Sequence, residues 1–223
     1  MSEPVQIAVI VSAPFMENTL IVHRKGQPEC VIVDPGFEPS KIIKLLETRG
    51  MQPAAILLTH GHVDHIAGNF ALCERFCDLP LIVGRNDAPL LADPLKNLSA
   101  LGGVSITSPP ASRLVGEGDV VDAAGLQFHV RDVPGHSPGH VVYILPGETP
   151  MIVLGGDVLF QGSIGRCDFP GGDQELLVRG IRTKLFPLPD DTRVYPGHGP
   201  MTTVGAERRT NPFCGDLAGR FAP

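Results

Sequence analysis

The 223-residue sequence predicts an α/β (α+β) fold built as a four-layer αββα sandwich, two sheets face to face with helices outside. Three observations predict it. The first half alternates β-branched apolar runs with turn residues and carries one amphipathic helix. The second half broadly repeats that plan. Hydrophobic residues make up 43% and charged residues 19%, which reads as globular, and the length suits one ample core rather than two. Residues 1–223 are therefore expected to form a single domain.

In chain order, Gln6–Val11, Leu20–Val22 and Cys30–Val33 read as strands, and "DPG" at Asp34–Gly36 ends the third. "EPSKIIKLLETRG" places Ile42, Ile43, Leu45 and Leu46 on one helical face, with Ser40 as the expected cap and Gly50 as the stop. "AAILLT" is a short buried strand. A helix is expected over Phe70–Phe76 and a strand over "LPLIVG". Asp87–Ala100 is expected to be partly helical, with breaks at Pro89 and Pro94. Strands follow at Leu114–Val115, Val120–Val121, Leu126–Val130, His140–Leu145 and Met151–Leu154. Gln174–Leu185 reads as the second long helix, Arg193–Tyr195 as the last strand, and "VGAERRTNPF" as a short helix and tail. The 26 glycines and 22 prolines are scattered among the apolar runs, so they mark short turns rather than a low-complexity block.

A net charge of −6 argues against a nucleic-acid partner, whose binders present a basic face. The opening "MSEPVQIAVIVS" has neither a basic region nor a sustained apolar one, and no run approaches the ~18 apolar residues of a membrane span. A soluble cytoplasmic protein is expected. Five cysteines without a CxxC pair suit a reducing compartment, and Cys73 and Cys77, four apart on an expected helix, read as packing residues.

The chemistry is concentrated in "LLTHGHVDHIAGN". His60, His62, Asp64 and His65 fall within six residues, directly after a strand. Irregular backbone at a strand end can aim successive side chains inward, which a regular strand cannot. Imidazole nitrogen and carboxylate oxygen are good ligands for zinc and similar divalent ions. Four such groups exceed what one tetrahedral ion with an open position needs if other ligands exist. Three more candidates do: His136 in "VPGHSPGH", Asp157 in "VLGGDVLF" and His198 in "VYPGHGP", each after an apolar run and beside glycine. A lone Gly-His in a loop is ordinarily a surface histidine. Four strand ends that all present metal-binding side chains point to a metal site.

"THGHVDHIAGN", "PGHSPGH", "GGDVLF" and "YPGHGP" resemble, in order, the successive metal motifs of the metallo-β-lactamase superfamily, and "DPG" resembles its early motif. "GSIGRCDFPGGD" and "ERRTNPF" look like the short, single-domain glyoxalase II-like hydrolases. The resemblance implies two divalent ions, expected to be zinc, with iron or manganese as alternatives. It assigns His60, His62 and His136 to the first ion, Asp64, His65 and His198 to the second, and Asp157 to both. It also implies supporting roles for Asp34 and Thr59. His140 matches no ligand position and is expected to be structural or supporting, whereas His23 and His129 match no motif.

Such a pair of ions, roughly 3.5–4 Å apart, can hold a hydroxide that attacks a carbonyl carbon. No G-x-S-x-G motif offers a serine nucleophile, and Cys167 is not proposed as one. The expected activity is hydrolysis of a small-molecule thioester such as S-lactoylglutathione, with Asp64 and Asp157 in the catalytic centre and Arg166 as a candidate grip for a substrate carboxylate. The alternatives are hydrolysis of another small thioester or ester, and a single-iron persulfide dioxygenase. Metallo-β-lactamases typically lack an aspartate at the position of Asp157, which disfavours β-lactam hydrolysis.

Overall fold

The computed structural model describes residues 3–218. The first sheet is built from β1 (Val5–Ser12), β2 (Glu17–Arg24), β3 (Glu29–Val33), β4 (Gln52–Leu57), β5 (Leu81–Gly84) and β6 (Arg113–Val115), side by side in that order. The β1–β2 and β2–β3 pairs are antiparallel, and β3 to β6 run parallel. Helices α1 (Pro39–Arg49), α2 (Val63–Ile66) and α3 (Asn69–Arg75) belong to this half. The second half contributes β7 (Val120–Ala123), β8 (Leu126–Asp132), β9 (Val141–Leu145) and β10 (Ile152–Gly156). A small hairpin, β11 (Leu159–Phe160) with β12 (Ser163–Ile164), precedes α4 (Gln174–Gly180). Then come β13 (Arg193–Pro196), β14 (Thr202–Thr203) and α5 (Val204–Thr210), and the second sheet has the order β14-β13-β10-β9-β8-β7.

Three apolar clusters fill the three interfaces of this αββα sandwich. Val31, Val33 and Leu57 of the first sheet meet Phe128, Val130, Tyr143 and Leu154 of the second. Cys30, Ile32 and Ile56 point the other way, onto Ile42 and Leu46 of α1 and Leu72 of α3. Val142, Ile144 and Val153 cover Leu177, Ile181 and Leu185 on the opposite outer face. Central strands are thus apolar on both faces, which is why their sequences read as continuous apolar runs rather than as alternation.

Several local details correct the sequence-based expectations. The residue that caps α1 is Glu38, not Ser40: Pro39 takes the first helical position, where its fixed φ suits the helix and its missing N–H costs nothing. Gly50 ends the helix as expected, in a left-handed conformation at φ 62°. Pro89 does not break a helix but lies inside a 3₁₀ turn, Ala88–Leu90, and a second such turn spans Ser99–Gly102. Helix α3 stops at Arg75, so Cys77 lies beyond it and is exposed, while Cys73 packs on the first helical layer. The long helix expected over Gln174–Leu185 changes to a π turn at Ile181.

Phe128 is fully buried between the sheets, edge-on to Tyr143 at 6.5 Å. Phe128→Ala should lower the unfolding free energy by about 3–5 kcal/mol, read as a lower urea midpoint at an unchanged m-value.

Candidate metal centre

Four strand ends open onto one place. β9 is antiparallel to both β8 and β10, and β10 is parallel to β13, so β8, β10 and β13 all run the same way. His136 follows β8, Asp157 follows β10 directly, and His198 follows β13. The first sheet delivers His60 and His62 after β4, and α2 then turns Asp64 and His65 toward them. That short helix is where the backbone departs from the irregular loop expected of the cluster. Among the described residues, three groups have ligand atoms within 4.8 Å of one another: His60, His62 and His136; His60, His65 and Asp157; Asp64, His65 and His198.

The proton positions are set from behind. Asp34 follows β3 at φ 50°, a left-handed conformation that costs a non-glycine residue about 1 kcal/mol or more. Its carboxylate accepts the Thr59 N–H at 2.7 Å and the Thr59 hydroxyl at 2.6 Å. With its proton spent on Asp34, Thr59 Oγ1 accepts from His60 Nδ1 at 3.2 Å. His136 Nδ1 donates to the Arg166 carbonyl at 2.7 Å. Both rings therefore turn an unprotonated Nε2 inward, and those two nitrogens face each other at 3.2 Å. His62 Nδ1 lies 2.9 Å from the same His136 nitrogen. Lone pairs so placed repel unless a cation lies between them. A tetrahedral ion with bonds of about 2.05 Å sets its ligand nitrogens about 3.3 Å apart, so the trio has the spacing such an ion requires.

The second group follows the same logic with carboxylates. His198 Nδ1 donates to the Phe15 carbonyl at 3.2 Å, so Nε2 faces Asp64 Oδ2 at 3.2 Å and Asp157 Oδ2 at 3.5 Å. Asp157 Oδ2 is also 3.5 Å from His136 Nε2, and Asp157 Oδ1 is 3.5 Å from His65 Nε2, so this carboxylate lies between the two groups. His65 is fully buried. Its Nδ1 approaches Asp34 Oδ2 at 3.1 Å without the alignment of a hydrogen bond, and neither ring nitrogen nor Asp157 Oδ1 has a hydrogen-bond partner. Orphaned buried polar atoms of this kind, a carboxylate oxygen and an imidazole whose proton a metal would replace, are what a bound cation would satisfy.

Protonation divides along the same line. Burial, reinforced by neighbouring rings, holds His60 well below the usual histidine range and His62 down at about 3, so both are neutral and ready to ligate. Burial disfavours charge on His65 too, but Asp64, Asp157 and Asp34 outweigh it and hold His65 well above that range. At Asp64 the cost of burial is outweighed by His65 and His198, so its carboxyl sits below the usual carboxylate range. A glycine is required at the hinge of this half: a side chain at Gly197 would overlap Asp157 Oδ1 and the ring of His65.

The family model of the metallo-β-lactamase superfamily matches residues 13–198, from the β1–β2 turn to the last of these histidines. The chain belongs to the metallo-β-lactamase superfamily. It is a metal-dependent hydrolase of that superfamily, whose fold implies bound divalent ions. It is 44% identical to "Probable metallo-hydrolase YqgX" of Bacillus subtilis, over 90% of this chain and 93% of the relative. It is 36% identical to "Hydroxyacylglutathione hydrolase GloC" of Haemophilus influenzae, over 93% and 97%. Among solved structures, "BLEG-1 B3 metallo-beta-lactamase" superposes with a TM-score of 0.89 at 38% identity, over 94% of this chain and 99% of that one. "TTHA1623 in a di-iron-bound form" superposes at 0.81 with 41% identity, over 92% and 99%.

Other residues singled out in the sequence lie outside the seven. His140 Nε2 accepts the Asp157 N–H at 3.0 Å and its ring stacks on His60, so it steadies both halves without facing the centre. Arg166 lines the cleft above the centre, but its guanidinium is paired two-fold with Asp168, at 2.9 and 2.8 Å, and lies 4.3 Å over the Phe169 ring. A substrate carboxylate would have to displace Asp168. His23 and His129 sit within β2 and β8, as ordinary strand residues.

One residue has no counterpart in the sequence reading. Asp87 is fully buried and accepts from Gly61 N–H at 3.0 Å, Ser137 Oγ at 2.6 Å and Gly139 N–H at 2.6 Å. It thereby ties the loop of His60 and His62 to the loop of His136. Its only sequence signal is an acidic residue inside an otherwise apolar "DAPLL" run. Asp87→Ala would leave three buried donors unpaired. Metal affinity, measured by competition with a chelator, should fall by about 10–100-fold, and unfolding free energy by about 2 kcal/mol or more.

Proposed function

We propose that this protein is a thioester hydrolase of the glyoxalase II type, acting on hydroxyacylglutathione-like small molecules at a two-metal centre. The observation that carries the reading is the convergence of histidine and carboxylate groups in neighbouring clusters, with Asp157 between them. In this assignment His60, His62 and His136 would hold one ion, Asp64, His65 and His198 the other, and Asp157 would serve both. The similarity to GloC over nearly the whole chain supports the substrate class, and the di-iron relative supports two ions. Zinc is the proposed metal, and iron or manganese would suit the same donors.

When bound, the ions supply Lewis acidity, which acidifies water and polarises a carbonyl. The chain's own residues do the rest. The Asp34–Thr59–His60 relay and the Arg166 carbonyl keep the inward nitrogens free of protons. Asp64 and Asp157 bring the negative charge that neutralises the ions. Cys167 is no competing nucleophile: burial raises its pKa, and its Sγ donates to the Gly165 carbonyl at 3.3 Å. A thiolate leaving group needs little protonation, which fits a cleft whose acidic groups are engaged at its floor.

The likeness to BLEG-1 favours a second reading, β-lactam hydrolysis. Steady-state hydrolysis of S-D-lactoylglutathione and of a chromogenic cephalosporin, on protein of measured metal content, separates the two. Thioester turnover that drops by more than about 100-fold in Asp157→Ala is the expected result. Cephalosporin turnover alone would establish the second reading. One iron per chain, with oxygen uptake on glutathione persulfide, would move the protein to the dioxygenases.

A further inference from the structure

His62, Asp64, His136, Asp157 and His198 form the floor of a cleft of about 750 Å³. Its walls are apolar. Phe15 and Phe37, with ring centroids 5.6 Å apart, form one part of them. Leu98, Leu101 and Val104, around the 3₁₀ turn, form another, a ridge. Phe15 is 51% exposed, Leu101 69% and Val104 49%, a cost in water that a solvent-facing loop would avoid. Phe169 and Phe160 stand edge-on to His62 and His198, at 5.8 and 6.2 Å, so the apolar wall begins at the proposed ligands.

The ridge is held in register with that floor. Asn97, fully buried, accepts the Ser99 N–H at 3.0 Å and donates to the Ile106 carbonyl at 2.8 Å. Its own carbonyl accepts the Val63 N–H at 2.9 Å, one residue from Asp64. Leu98 takes a left-handed φ of 71° to place the ridge. Among the described lining residues Arg166 is the only lysine or arginine, and Asp168 and Phe169 already occupy it. A carboxylate-bearing acyl group finds no free Lys or Arg side chain on these walls, whereas an alkyl or aryl acyl group finds a wall that leads to the reacting centre.

We infer that the substrate's acyl group is apolar, a medium-length alkyl or aryl chain lying between the Phe15–Phe37 wall and the Leu98–Val104 ridge; this rests on the thioesterase reading. In the reaction, water oxygen bonds to the carbonyl carbon and the C–S bond breaks, with its electron pair leaving on sulfur. One water proton ends on the thiol and the other in solvent, and the acyl chain departs as a carboxylate.

The test is a series on one neutral carrier: acetyl, lactoyl, butanoyl, hexanoyl and octanoyl thioesters of N-acetylcysteamine, with metal-loaded protein. Each added methylene should raise kcat/KM by about two- to fourfold until the cleft is filled. A Leu101→Ser, Val104→Ser double variant should reduce the octanoyl-to-acetyl ratio. Calorimetry of acetate through octanoate should show affinity climbing by a similar factor. A flat series, or lactoyl as the best substrate, would overturn the inference and leave the thioesterase reading intact. If no thioester is turned over, that reading fails; calorimetry then decides the apolar subsite, and octanoate binding no tighter than acetate removes it. Loss of a dimer in the double variant, seen by light scattering, would also overturn it, since the ridge would then be an interface between two copies.

Discussion

Acceptors forced to face one another in a dry interior repel, and the centre of this protein is built from that conflict. Inward lone pairs on His60 and His136 cannot satisfy each other, and the carboxylates of Asp64 and Asp157 crowd the same buried space. The His60 and His136 rings have their single proton drawn outward by a partner behind them, the Thr59 hydroxyl and the Arg166 carbonyl. Positive charge between them resolves the conflict. The cost of holding the groups in place falls on the rest of the fold.

The sandwich meets that cost through stiffness. Strands packed on both faces cannot shift without disturbing two cores at once, so their ends are fixed points. β8, β10 and β13 deliver their ends on one side, and β4 meets them from the other sheet. Tyr143, buried between the sheets, donates to the Leu58 carbonyl at 3.0 Å and so ties the second sheet to the strand end that precedes His60. Buried polar residues complete the frame. Asp34 fixes the first sheet's contribution, His140 holds the backbone of Asp157, and Asp87 joins the loops of His60 and His136.

Polarity is sharply divided around this frame. The floor of the cleft gathers imidazole and carboxylate, and the walls gather aromatic and aliphatic side chains. An apolar surround lowers the local dielectric, which strengthens electrostatic interactions at the floor. It also selects what can approach. Arg166, the natural candidate for recognising a carboxylate, is instead paired with Asp168, and its main-chain carbonyl, through His136, is the part of it that reaches the centre.

Much of this was legible in one sequence. Apolar runs such as Cys30–Val33 and His140–Leu145 announce strands because both faces of β3 and β9 are buried. The crowding of His60, His62, Asp64 and His65 announces a metal centre because few other structures need so much imidazole and carboxylate in six residues. Short-range geometry was less legible: Pro39 displaced Ser40 from the cap of α1, and α2 formed where irregular backbone was expected. What the sequence by itself determined was the strands other than the short β11, β12 and β14, and seven candidate side chains for binding metal. Only the tertiary structure decided which nitrogen of His60, His136 and His198 faces inward, that Asp87 binds two loops together, and that Phe15 and Leu101 line one cleft with the centre. Those facts depend on contacts between residues tens of positions apart, and no local pattern of residue types records them.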